Sequence, residues 1–291
     1  MRCARHRRNV FYGLTLLELV VVMAILVALA AVLVPLLPEF LGKANQSAAA
    51  TNMGELEKAI QTFRATYSRY PNYFDSMLTS AGANPDFDGD TKGDVPQPKD
   101  DNYENSPSLM TPEELTAPEV NRLSRQGITH VYSLDGTTAD THFHATLNPY
   151  GASPAAIPLA AGTTVWKLAR TANSKTSYND EIFNRAVLPG LTMNDEHNYV
   201  LLGVGKYCNL CGPDGLVKEA PVFGQHKQQN TPSSSYQRYA AVFDVGDPDV
   251  EDQRPAKLIA VVALVGKRFF TAGDIVGTYG DNSFDIATPR E

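Results

Sequence analysis

Hydrophobic and polar positions along this 291-residue chain change character several times. From Leu14 to Leu37 run 24 residues in which Glu18 is the only charge. As a helix this stretch would be about 36 Å long, enough to cross the ~30 Å hydrocarbon layer of a bilayer. Leu41, Ala44, Ala48, Leu56, Ala59, Ile60, Phe63 and Tyr67 then recur mostly at steps of three and four. That spacing marks one apolar face of a helix over Glu39–Tyr67. Tyr70-Pro71 stops it, because the residue before a proline is pushed out of the helical region. Pro35, Pro38 and Gly42 interrupt the middle, where a kink or local melting is expected.

Between Asn72 and about Arg125 the periodicity dissolves into Asp, Asn, Pro and Gly. One short helix is expected to begin at Thr111, whose hydroxyl suits a cap ahead of Pro112-Glu113-Glu114. Strand-like segments follow at Ile128–Leu134, His142–Leu147, Thr164–Ala169, Asn198–Val204, Tyr239–Val245, Lys257–Val265 and Arg268–Thr271. Several are separated by Gly, Pro and Asn turns, which predicts an antiparallel sheet. The fold class is therefore α+β, a long N-terminal transmembrane helix continuing into an antiparallel β-sheet head. The organisation reads as a basic N-terminus at 1–13, a membrane segment at 14–37, an amphipathic outer half of the helix at 38–70 and a globular head at 71–291.

Glu18 is the first feature with chemical consequences. An ionised Glu in hydrocarbon costs about 2.5–3.5 kcal/mol or more, so an ordinary anchor has no reason to carry one. Either a partner offsets that cost, or the side chain snorkels to the interface near the helix end.

The run Gly13-Leu14-Thr15-Leu16-Leu17-Glu18 resembles the type IV pilin superfamily, and most of all the pseudopilins of type II secretion. The resemblance implies a pilin-like fold. It also implies that a prepilin peptidase cuts after Gly13 and N-methylates Leu14. Glu18 then becomes the fifth mature residue and Pro35 the twenty-second, as in the family. Leu14 stands where that family usually has Phe, and the basic residues end at Arg8. The likeness covers about a fifth of the chain, Phe11 to Pro71. Its implied partners are other copies and related pseudopilins in a helical filament, the peptidase/methyltransferase and an inner-membrane assembly platform. In physical terms, cleavage would expose an α-amine, ordinarily titrating at about 7.7–8.0, four residues from the Glu18 carboxylate. In stacked subunits the amine of one chain can neutralise Glu18 of a neighbour, which assigns Glu18 to assembly.

Charge sets the expected orientation. Arg2, Arg5, Arg7 and Arg8 precede the apolar run and Lys43 is the first basic residue after it. This predicts an inner-membrane protein with a cytoplasmic N-terminus and a periplasmic head. A cleaved secretory signal with Ala28-Leu29-Ala30 as its site is the competing reading. Of the 25 basic residues four lie in the leader, so against 32 acids the mature chain carries a net charge of −11. So acidic a head makes nucleic acid an unexpected partner.

Two further patterns carry candidate chemistry. Asp86-Phe-Asp88-Gly-Asp90-Thr-Lys-Gly-Asp94 places carboxylates on alternate positions of a Gly-containing loop, a candidate Ca²⁺ site. It departs from an EF-hand loop at Thr91 and Gln97, and a solvated acidic turn is the alternative. The Asp-bearing end around Asp281 and Asp285 is a fainter candidate for the same ion. Cys208 and Cys211 are the cysteines left once Cys3 departs with the leader; a small-loop disulfide, a Zn²⁺ site with His197 or His226, and a free pair or redox C-x-x-C site are all open. No G-x-S-x-G, H-E-x-x-H or complete Walker A sequence occurs, so no catalytic role is expected. The leading functional reading is a structural subunit of a type II secretion pseudopilus. A type IV pilus pilin, major or minor, is the runner-up, and an anchored periplasmic binding module or enzyme is the third.

Overall fold

The computed structural model describes residues 16–87, 89, 91, 93–95, 110–136, 150–168, 197–222, 236–265 and 268–270. Two compact units divide between Lys43 and Ala44, inside the helix α1 (Leu16–Tyr67).

The first unit contains the N-terminal arm of α1. Helical structure runs without interruption through Pro35, Pro38 and Gly42, and the division between units follows one residue after Gly42. The membrane expectation needs correction here. Among the described residues no helix is long and apolar enough to cross a membrane. The expected transmembrane helix, and the single-pass inner-membrane location that rested on it, are therefore not borne out.

The second unit holds the remainder of α1 and a nine-stranded sheet. Ala49, Met53, Leu56, Ile60 and Phe63 are buried at alternating steps of four and three, so one stripe of the helix faces the core. The helix stops at Tyr67 because Ser68 adopts a left-handed backbone, φ 57°. The buried Tyr70 then anchors the exit: its N–H donates to the Gln126 carbonyl (2.7 Å) and its Oη accepts from the Leu258 N–H (3.0 Å).

The strands are β1 (Phe74–Asp75), β2 (Met110–Glu114), β3 (His130–Tyr132), β4 (Ala156–Pro158), β5 (Thr164–Leu168), β6 (Asn198–Gly203), β7 (Tyr239–Gly246), β8 (Lys257–Val265) and β9 (Arg268–Phe270). Their order is β4-β3-β1-β6-β7-β8-β9, with β5 also pairing β6 and β2 pairing β5. The sheet is mixed, which corrects the antiparallel expectation. β1 and β3 run parallel, Phe74 opposite Val131, because a helix, Ala117–Arg125, lies between them in the chain and returns it in the same direction. The strand expected at His142–Leu147 lies outside the described residues.

Both faces of the central strand are covered. On one side Tyr239, Ala241, Phe243 and Val245 join the core lined by α1; on the other Ala240 and Val242 pack with Trp166, Leu201, Val262 and Leu264. Trp166 is fully buried and its indole N–H donates to the Met77 carbonyl at 2.8 Å. This double burial is why β7 and β8 read as nearly continuous apolar runs.

The short helix begins later than expected. Met110–Glu114 is strand β2, and α2 (Ala117–Arg125) is capped at Thr116, where Pro118 occupies the first turn and Glu119 Oε2 accepts from the Thr116 N–H (2.7 Å). Thr111-x-x-Glu114 and Thr116-x-x-Glu119 are both capping-box patterns, but only the second precedes the inward-facing Leu123. At the other end the Gly127 N–H reaches the Ser124 carbonyl (2.9 Å) and the Ile128 N–H reaches that of Leu123 (3.1 Å). Gly127 takes φ 85°, which closes the helix in a Schellman arrangement.

A buried charge network ties α2 to the sheet. Lys167 Nζ lies 2.9 and 2.8 Å from the two Glu119 oxygens and donates to the Glu114 carbonyl (2.8 Å), while Asn198 Nδ2 donates to Glu119 Oε1 (2.7 Å). Replacing Lys167 by Met is expected to cost about 3–5 kcal/mol, because the carboxylate would stay buried without its cation. The double variant Lys167→Met/Glu119→Gln should recover most of that loss. Urea unfolding midpoints of the two variants check this, and equal destabilisation would remove the pairing as the cause.

Candidate functional site

The arm presents a surface that a single chain leaves uncovered. Leu19, Val20, Val21, Val22 and Met23 are consecutive, so at about 100° per residue they encircle the helix. Each is at least 49 % exposed, and Leu16 at the start is 81 % exposed. A helix that is apolar all round belongs in the interior of something. Glu18 is exposed within this surface, in the first turn, where the positive end of the helix dipole favours a carboxylate. Gly13 and Leu14, the expected cleavage and methylation positions, lie outside the described residues.

In the head, the Asp-rich loop uses its described carboxylates on its own backbone. Asp86 accepts from the N–H groups of Gly89 (2.7 Å) and Thr91 (3.0 Å), and Asp94 accepts from that of Phe87. Asp88 and Asp90 lie outside the described residues. Among the described residues no group of three or more His, Cys, Asp or Glu is placed to hold a metal ion. Cys208 is buried and Cys211 partly buried, both as free thiols. Burial, before any neighbouring charge, pushes both thiols up, Cys211 to about 12.

A polar cluster that no sequence pattern announced lies inside the sheet's β1–β6 junction. The Asp75 carboxylate is fully buried; Tyr236 Oη donates to its Oδ2 at 2.6 Å and Tyr150 Oη at 3.2 Å. Tyr150 Oη in turn accepts from the Lys206 N–H (3.2 Å). Burial, and after it the Asp75 charge, raise both phenols well above their ordinary range, so they remain neutral donors. Next to this cluster Tyr132 and Tyr207 stack with centroids 4.5 Å apart, and the Lys206 ammonium sits 5.1 Å from the Tyr207 ring. The arrangement cross-links β1, β6 and the entry to β7. It is sealed, with Tyr150 and Tyr236 each 2 % exposed.

Comparison with protein-family models, with curated proteins and with solved structures finds no match to this chain. The participants in the Asp75 cluster lie 75 and 86 positions apart along the chain. The one local trace of the cluster is Gly203-Val204-Gly205, where glycines alternate at the end of an apolar strand.

Proposed function

We propose that this chain is a structural subunit of a helical filament of the type IV pilin-like class, in the manner of a type II secretion pseudopilus. A prepilin peptidase processes it between Gly13 and Leu14, and it assembles through the arm and Glu18. The observation that carries this reading is the arm itself, an all-round apolar helix exposed along its described length with a single carboxylate near its start. Packing arms from several copies together would cover it. Burying six of its Leu, Val or Ile side chains contributes about 9–18 kcal/mol per subunit before ordering costs. That is enough to drive association without help from the head. A buried Glu18 then needs a cation, and the α-amine released by cleavage supplies one on a neighbouring copy.

The test is Glu18→Ala in cells that make filaments. Processing at Gly13 and the thermal unfolding of the head should be unchanged, while the variant's share of sheared filaments should fall at least tenfold, the equivalent of about 1.4 kcal/mol. Incorporation equal to the parent chain would eliminate the charge pairing. A mature N-terminus other than Leu14, found by mass spectrometry, would eliminate the processing step.

A further inference from the structure

The turn carrying the two head cysteines holds the exit of α1. The Cys211 N–H donates to the Cys208 carbonyl at 2.8 Å, closing a four-residue reverse turn. At the middle of this turn the Asn209 N–H donates to the Asn72 carbonyl (3.1 Å), and Asn209 Oδ1 accepts from the Asn72 N–H (2.8 Å). Asn72 lies five residues beyond the end of α1 and holds the other side as well. Its Oδ1 accepts from the N–H groups of Thr129 and His130, both at 3.0 Å, and its Nδ2 donates to Thr129 Oγ1 at 2.9 Å. Asn72 thus clasps three segments, and Asn209 is its only link to the cysteine turn among the hydrogen bonds of the described residues.

We propose that Cys208 and Cys211 are joined by an intramolecular disulfide that locks this turn and, through Asn209, the clasp on Asn72. A reverse turn keeps its first and last Cα atoms within about 7 Å, and a disulfide spans about 4.4–6.8 Å, so the turn brings the two cysteines into the range that a disulfide bridges. Both side chains face the same way: Cys208 belongs to the main hydrophobic core and Cys211 packs against it. The step is an exchange. Each thiol gives up a proton, and the pair gives two electrons to the disulfide of a small-molecule or protein partner, which leaves as two thiols while the S–S bond forms. Thiols held protonated by burial attack slowly and, once joined, are poor leaving groups, which suits a lasting structural bond better than a catalytic one.

The experiment uses the full chain carrying Cys3→Ser, incubated in oxidised or in reduced glutathione and then alkylated under denaturing conditions. Oxidation is expected to leave no alkylated cysteine, with a 208–211 cross-linked peptide in the digest; the reduced sample should carry two labels. Hydrogen exchange of the Asn209, Thr129 and His130 amides should slow by about twentyfold on oxidation, the loop-closure effect for a four-residue ring. Cys211→Ser, which spares the buried Cys208, should show no oxidant-dependent slowing. Two labels under oxidising conditions would overturn the disulfide. A disulfide that leaves those amides unchanged would overturn the clasp. Protection from alkylation that a zinc chelator abolishes would mean a metal holds the pair instead.

Discussion

A chain shortened to begin at Ala44 is expected to fold to a head whose unfolding temperature matches the parent's within a few degrees, and to lose assembly altogether. Among the described residues every member of both buried clusters is at Ala49 or beyond, inside the part that the shortened chain keeps. The shortened α1 keeps the buried stripe from Ala49 to Phe63, and tertiary packing rather than helix length stabilises it. What disappears is the exposed apolar surface from Leu16 to Val34, which is the proposed source of association. Sedimentation velocity of the head should report a monomer at concentrations where the full chain forms large species. A head that fails to melt cooperatively would show that the arm contributes to its core. A head that still builds filaments would place the contacts elsewhere and end the assembly reading.

The sequence showed different parts of this molecule with different clarity, for physical reasons. Strands β5 to β8 were visible because their runs are apolar, bounded by turn residues and, at most described positions, buried. β1, β2 and β4 were not. β1 is two residues, one of them a buried Asp75; β2 carries Pro112 and two glutamates at the sheet's edge; both exist because a partner strand accepts them. The misplaced helix start arose because two threonine caps, five residues apart, satisfy the same local rule, and inward packing of Leu123 decides between them. The apolar run from Leu14 to Leu37 suggests a membrane span, yet among the described residues no helix is long and apolar enough to cross a membrane. The C-x-x-C pair could be read locally. Its attachment to Asn72, 136 residues before Cys208, could not, because hydrogen bonds between distant loops leave no periodicity.

Gly205→Ala is expected to be as damaging to the head as loss of the Lys167 cation, although sequence alone would rate it as mild. A methyl group at this position would sit 2.1 Å from Asp75 Oδ1, 2.2 Å from Oδ2 and 2.3 Å from Tyr150 Oη. None of these atoms is the loose end of an exposed chain. Asp75 is held by Tyr236 at 2.6 Å, and Tyr150 is packed between Tyr132 and Tyr207. The carboxylate can yield only by breaking its hydrogen bonds while still buried, at about 1–3 kcal/mol for each polar group left unpaired, in addition to about 1–3 kcal/mol of overpacking. A loss of about 3–5 kcal/mol follows, a large part of the stability of a typical domain. Gly54→Ala is the contrasting case: a methyl there meets nothing within 4 Å, and the site lies inside α1. It should stabilise by about 0.5–1 kcal/mol, the usual cost of glycine in a helix interior. Urea denaturation of the two variants separates a steric cause from a general intolerance of glycine replacement. Similar midpoints for both would mean that the Asp75 cluster has room to rearrange, and that its sealed geometry does not constrain this part of the head.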